Sequence, residues 1–288
     1  MKRASPVSNR RRRLLSLLPL IAIALAAGAF VIATRTQAIS PEGSPVSFQQ
    51  ALDEYHKQPG SRRDDLGSPV LPMAASSKIK GFTVPAAGVY SYRTEGHDSI
   101  EYDGDSYVRP FPAETYARVH HAGGCVWELY FTPIEEHTDA HRQCSAPGEY
   151  LCLAHMQKVS FAGISGDETH HCHPAMIQVG GKASSAGGVE ETVCEAHGNR
   201  ARIVIKYIGE ESVTVDGVAR PTHHVRIDSY VKGAGLDGTA VADAWFDVVD
   251  GLYLKLVREA DVTVDRDGNK GTYKIQASYE LESRIPRT

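Results

Sequence analysis

The chain has 288 residues, 42% of them hydrophobic and 23% charged, with a formal net charge of −4. Seven of its 31 bases and none of its 35 acids fall in residues 1–35, which leaves 24 bases against 35 acids beyond them, a net of −11. Phosphate contacts need clustered Lys and Arg, so the acidic remainder argues against a nucleic-acid partner.

Residues 1–13, "MKRASPVSNRRRR", form a basic segment. Residues 14–34 follow with 21 positions and no charge. At about 1.5 Å per residue, that length spans a hydrocarbon core of about 30 Å. The preceding bases hold the N-terminus in the cytoplasm. The reading is a transmembrane signal anchor in the cell membrane, with the rest of the chain extracytoplasmic. A cleaved signal peptide is the rival, although its apolar region usually runs about 7–15 residues.

Residues 35–87, rich in Pro, Ser and Gly, read as a stalk, within which "SFQQALDEYHK" is a short helix capped by Ser47. From Gly88 to Thr288 the hydrophobic period is two, the signature of an antiparallel sheet with one wet face. "SIEYDGDSYVR" reads as a hairpin turning at Asp103-Gly104, and "ETYARVHHA" and "CVWELYFT" as strands. Residues 133–199 look less regular. Beyond them, "HHVRIDSYV" places Val225, Ile227, Ser229 and Val231 on one face. "AVADAWFDVVDGLYLKLVRE" folds back at Asp250-Gly251, and "TYKIQASYEL" alternates throughout. The expected fold is mainly β: a transmembrane helix followed by a curved antiparallel sheet, open or nearly closed like a barrel.

The five cysteines all lie in the exported part. An oxidising compartment favours disulfides, and an odd count leaves one thiol over. Cys125–Cys144 with Cys172–Cys194 is the preferred pairing, leaving Cys152 single, and Cys144–Cys152 is the alternative.

The segments "GVYSYRTEG", "CVWELYF", "GEESVTVDGVARPTHHVRI", "AWFDVVDGLYLKLVRE" and "YELESRIPR" resemble the exported domain of single-pass actinobacterial membrane proteins of unknown function. Val126 stands where that pattern has glycine. The resemblance spans about residues 88–287 and implies a curved sheet without implying catalytic residues. Comparable sheets occur in envelope proteins that shelter lipids, an analogy of fold alone.

Chemistry is concentrated in "DETHHCHPAM". A zinc site wants four ligands in two close pairs. His170 or His173 with Cys172, and Cys194 with His197, would supply them. The same two cysteines close a loop as a disulfide, worth about 3 kcal/mol, and this is the preferred reading, with His171 and its neighbours then simply polar. In "EEHTDAHRQC", His137 and His141 lack the H-E-x-x-H order of a zinc protease and read as a solvated hairpin loop. "DRDGNKG" lacks the glycine and glutamate of a calcium loop. No G-x-S-x-G elbow occurs. Cys152, three residues before His155, reads as a buried lone cysteine. No cofactor motif is found.

Tyr90, Tyr92, Trp127, Trp245, Tyr273 and Tyr279 fall on strands and would line an apolar cavity if the concave face stays open. Three function classes follow. The preferred one is a non-enzymatic binding or envelope protein sheltering an apolar ligand. The second is an interaction domain with a filled core and a protein partner in the envelope. The third is a metal-dependent enzyme built on His and Cys of residues 137–197.

Overall fold

The period-two pattern becomes thirteen strands. They are β1 (Gly88–Tyr102), β2 (Asp105–Pro110), β3 (Glu114–Gly123), β4 (Val126–Ile134), β5 (His137–Ala146), β6 (Glu149–Phe161) and β7 (Ile164–Val179). Then come β8 (Val189–Ala196), β9 (Asn199–Val215), β10 (Val218–Gly233), β11 (Leu236–Asp247), β12 (Tyr253–Arg266) and β13 (Asn269–Leu281). One helix, α1 (Phe48–Lys57), precedes them. The computed structural model describes residues 43–57, 83–102, 104–146, 149–161, 164–196, 198–233, 235–266 and 269–288. The basic segment 1–13, the anchor 14–34 and much of the stalk lie outside the described residues. Among the described residues, no helix is long and apolar enough to cross a membrane. Apart from Ile164, the described residues belong to one compact unit.

All thirteen strands form one sheet, each strand beside its chain neighbour from β3 to β13, and one edge of β1 pairs with β3 over Gly88–Arg93 and with β2 over His97–Tyr102. The other edge of β1 pairs with β13 from Tyr92↔Leu281 to Tyr102↔Gly271, so the ladder returns on itself. Gly96 sits in that seam at φ +139°, and a Cβ there would meet the Gln276 carbonyl oxygen at 2.1 Å. Only glycine allows this approach.

The region 133–199, read as irregular, is in fact β5 to β8 with the turns between them. The alternation fades there because β4 and β5 are buried on both faces. Inward, Trp127, Leu129 and Phe131 join the core. Outward, Glu128 bonds Arg142 at 2.6 Å, Tyr130 packs with Ala140, Ala154 and Met156, and the Cys125–Cys144 disulfide packs with Val126 and Leu153.

Residues 43–57 of the supposed stalk are docked. Ser47 Oγ accepts from the Gln50 amide, and the Gln50 side chain accepts from the Ser47 amide at 2.8 Å, a capping box. Phe48 packs edge-on against Tyr116, Tyr55 stacks on His120 at 4.9 Å, and the Arg287 guanidinium lies 3.5 Å over Phe48. The tether expected over 35–87 is therefore interrupted by a helix fixed to β3.

The core is aromatic and crosses the curved sheet. The Phe131 ring meets Tyr92 and Tyr279 at 5.0 Å each, and Tyr253 meets Phe246 at 4.6 Å. Tyr92 donates to the Tyr253 carbonyl at 2.8 Å, so the rings fix the β1–β12 spacing as well as filling it.

Candidate functional site

Register defines which residues share the inner face with that core. Val225, Ile227, Ser229 and Val231 of β10 oppose Ala244, Ala242, Ala240 and Gly238 of β11. These in turn oppose Leu256, Arg258, Ala260 and Val262 of β12. At the end nearest the aromatic core, Val225, Ala244 and Leu256 are buried. Toward the other end, Ile227, Val231, Ala240, Ala242, Ala260 and Val262 stay partly exposed although they point inward. β11 carries alanine or glycine at all four inward positions and β12 adds Ala260, so small side chains leave their neighbours on this face partly uncovered.

Beside this apolar bay, with Asp98 and Tyr273 in register with Ala260 and Val262 through β13, lies a belt of buried charge. Arg109 clamps Asp98 with two bonds of 2.9 and 2.6 Å, donates to the Ser160 carbonyl and lies 3.7 Å over the Phe161 ring. His137, with no exposure, sets Nδ1 3.1 Å from Asp98 and Nε2 2.8 Å from Asp139. Tyr273 Oη reaches Asp98 at 3.3 Å. Arg258 of β12 pairs with Asp139 of β5 across the inner face. His155 Nε2 stands 3.5 Å from Asp139, an ion-pair distance without hydrogen-bond geometry.

The electrostatics follow from these contacts. Burial disfavours a charge on His137, but Asp139 and Asp98 outweigh it and raise the imidazole pKa. Burial works against the Asp98 carboxylate, and the bonds from His137 and Arg109 hold it below the usual range. Asp139 is lowered further, its burial outweighed by Arg258 and then His137. His141, two residues along β5 on the same face, is depressed well below the ordinary imidazole value by burial, then by His155. Neither of its ring nitrogens has a hydrogen-bond partner, and neither does Tyr279 Oη, although Tyr279 is 1% exposed.

The residues expected from sequence are distributed as follows. Cys125–Cys144 and Cys172–Cys194 are the disulfides present, and Cys152 is free and buried. Cys172 and Cys194 stand opposite each other in register. Their sulfurs are bonded together, so neither offers a thiolate to zinc, which corrects the four-ligand site. His173 is exposed, His170 is near Glu168 at 3.5 Å, and His197 lies outside the described residues. Among the described residues, no group of three or more His, Cys, Asp or Glu is placed to hold a metal. Burial pushes the Cys152 thiol up to about 12. His137 and His141 are not in a solvated loop: Glu135 and Glu136 make the turn, and both histidines face inward from β5. The spacing His137, Asp139, His141, Gln143 was the available signal, polar at every second position.

Of the six aromatics expected along a cavity, Tyr90, Tyr92, Trp127 and Tyr279 are at most 1% exposed and fill the core instead. Tyr273 belongs to the polar belt. Trp245 is on the opposite face, stacked on His224 at 4.1 Å and donating to Glu211 at 2.7 Å. The partly open wall is aliphatic.

No family model and no curated protein matches the chain. Among solved structures, a DUF1329 family protein from Desulfovibrio piger ATCC 29098 is similar at 12% identity, over 84% of this chain and 95% of that one, with a TM-score of 0.17. Similarity at that level carries no argument. The β domain with two disulfides is defined by its own geometry.

Proposed function

We propose that this chain is a membrane-anchored extracytoplasmic binding protein, non-enzymatic, that shelters an apolar ligand on the inner face of β10, β11 and β12. The observation that carries the reading is the partial exposure of inward-facing Ile227, Val231, Ala240, Ala242, Ala260 and Val262 beside a fully packed aromatic floor. Apolar surface left unfilled by small side chains gains by covering, at about 25 cal/mol per Å² removed from water. The belt supports binding over catalysis, because its charged groups are paired with one another and Cys152, the one free thiol among the described residues, is kept protonated. Native mass spectrometry of the full chain taken from membranes tests the reading. A retained mass lost on denaturation is expected. A chain that shows only its own mass in both conditions, and takes up no apolar probe, contradicts it.

A further inference from the structure

The polar atoms left over at the edge of the bay identify the head of the ligand, on the assumption that the apolar-ligand reading holds. Buried polar groups in folded proteins nearly always find partners, and an exception calls for an explanation such as a missing ligand. Three such atoms lie on the inner face beside one ion pair. Tyr279 Oη and both ring nitrogens of His141 are shielded and without hydrogen-bond partners. Tyr279 neighbours Arg258 diagonally on the same face, since Leu256 opposes Tyr279 and Arg258 opposes Ala277. His141 is two residues from Asp139, which Arg258 touches, and its ring stacks on His155 at 4.7 Å. These three atoms therefore lie near the Asp139–Arg258 pair. Immediately beyond Arg258 on that face begin Ala242, Ala240 and Ala260 of the bay.

The charge of the belt selects the sign of the head. Asp98 and Asp139 balance Arg109 and Arg258. His137 adds a positive charge, because Asp98 and Asp139 at its two ring nitrogens favour the imidazolium and raise its pKa, the Tyr273 hydroxyl also standing 3.1 Å from Nδ1. Tyr279 offers a hydroxyl donor and neutral His141 an N–H donor. We propose that the ligand is a single-chain carboxylic acid, its carboxylate accepting from Tyr279 and His141 beside Arg258 and its chain laid along β10–β12. A carboxylate needs few donors and one net positive charge, which is what this belt supplies. From Arg258 to Val264 the strand rises about 20 Å, room for a long acyl chain.

Three chain-matched probes test this: palmitate, hexadecanol and hexadecyl phosphate. Each competes with an apolar fluorescent dye on the full chain in lipid nanodiscs, with empty nanodiscs as the blank. A bond from a neutral donor to a charged group, gained by the acid and not by the alcohol, predicts displacement by palmitate at about ten-fold lower concentration or less than by hexadecanol. Tyr279→Phe removes an unpartnered hydroxyl, so its melting temperature is expected to be unchanged while the preference for palmitate shrinks. His141→Phe is expected to act the same way on binding. Equal displacement by palmitate and hexadecanol overturns the carboxylate assignment while the apolar site stands. Preference for hexadecyl phosphate over palmitate overturns it in favour of a phosphate head. Dye that binds but yields to none of the three excludes a chain of this kind. If the dye itself does not bind, the apolar-site reading fails and the head assignment with it.

Discussion

His137 lies between two carboxylates with no exposure, and its folded pKa is raised. A raised histidine contributes stability that is fully present below its unfolded value of about 6.5 and is lost as pH climbs through the folded value. His141 has the opposite sign. Its folded pKa is depressed, so it stabilises above about 6.5 and that contribution is lost as pH falls below it. The denaturant midpoint is therefore expected to peak near neutrality. His137→Gln should flatten the alkaline limb and His141→Phe the acid limb below about pH 6.5. Asp98 and Asp139, both lowered, add a further loss as pH falls through the carboxylate range. Removing the central ring altogether, as His137→Ala, leaves Asp98 and Asp139 facing each other and should cost about 3–5 kcal/mol in urea unfolding. Little of this belt was legible in the sequence. Asp139 and Arg258 are 119 positions apart and meet through strand order alone. Only the polar alternation from His137 to Gln143 announced that one strand carried its polar residues inward.

Helix α1 gains its order from local chemistry that the sequence does show. Ser47 and Gln50 form a reciprocal cap, and the Ala51 amide bonds back to the Ser47 carbonyl at 3.0 Å. Its docking on β3 was not legible, because Phe48, Tyr55 and Arg287 find their partners only after the sheet has formed. Ser47→Ala is expected to weaken the helix by about 1 kcal/mol, read as faster amide exchange at Ala51–Tyr55 with the sheet unaffected. Equal acceleration across β3 would mean that α1 and the sheet open together. In β10 and β11 the opposite held: the alternation gave the face of Ile227, Ser229 and Val231 correctly. In β4 and β5 it failed, since burial on both sides makes β4 a nearly continuous apolar run and leaves β5 with buried polar residues on both faces, Arg142 paired with Glu128 on one and Asp139 with Arg258 on the other.

At the scale of the whole molecule, the ladder closes at β1–β13 and is stapled twice along its length. The disulfides span 19 and 22 residues, and opening either one by Cys→Ser pairs should cost about 2–4 kcal/mol, measured as a fall in melting temperature. Gly96→Ala should disturb the closing seam more locally, because its Cβ would press on the Gln276 carbonyl. A curved antiparallel sheet with these two pairings could be read from the chain. That the sheet closes, and that its partly exposed inward positions are alanine, valine and isoleucine rather than the conspicuous tyrosines and tryptophans, could not. The aromatic side chains are large enough to meet across the sheet and so fill one end, while Ala240, Ala242 and Ala260 toward the other end stay partly exposed. The most direct test of that account is binding of an apolar fluorescent dye to the full chain compared with Ala242→Phe/Ala260→Phe, which fills the bay from within. The account predicts saturable binding to the wild type and loss of it in the filled variant at unchanged melting temperature. Undiminished binding by a folded variant would contradict it, since the ligand would then lie elsewhere.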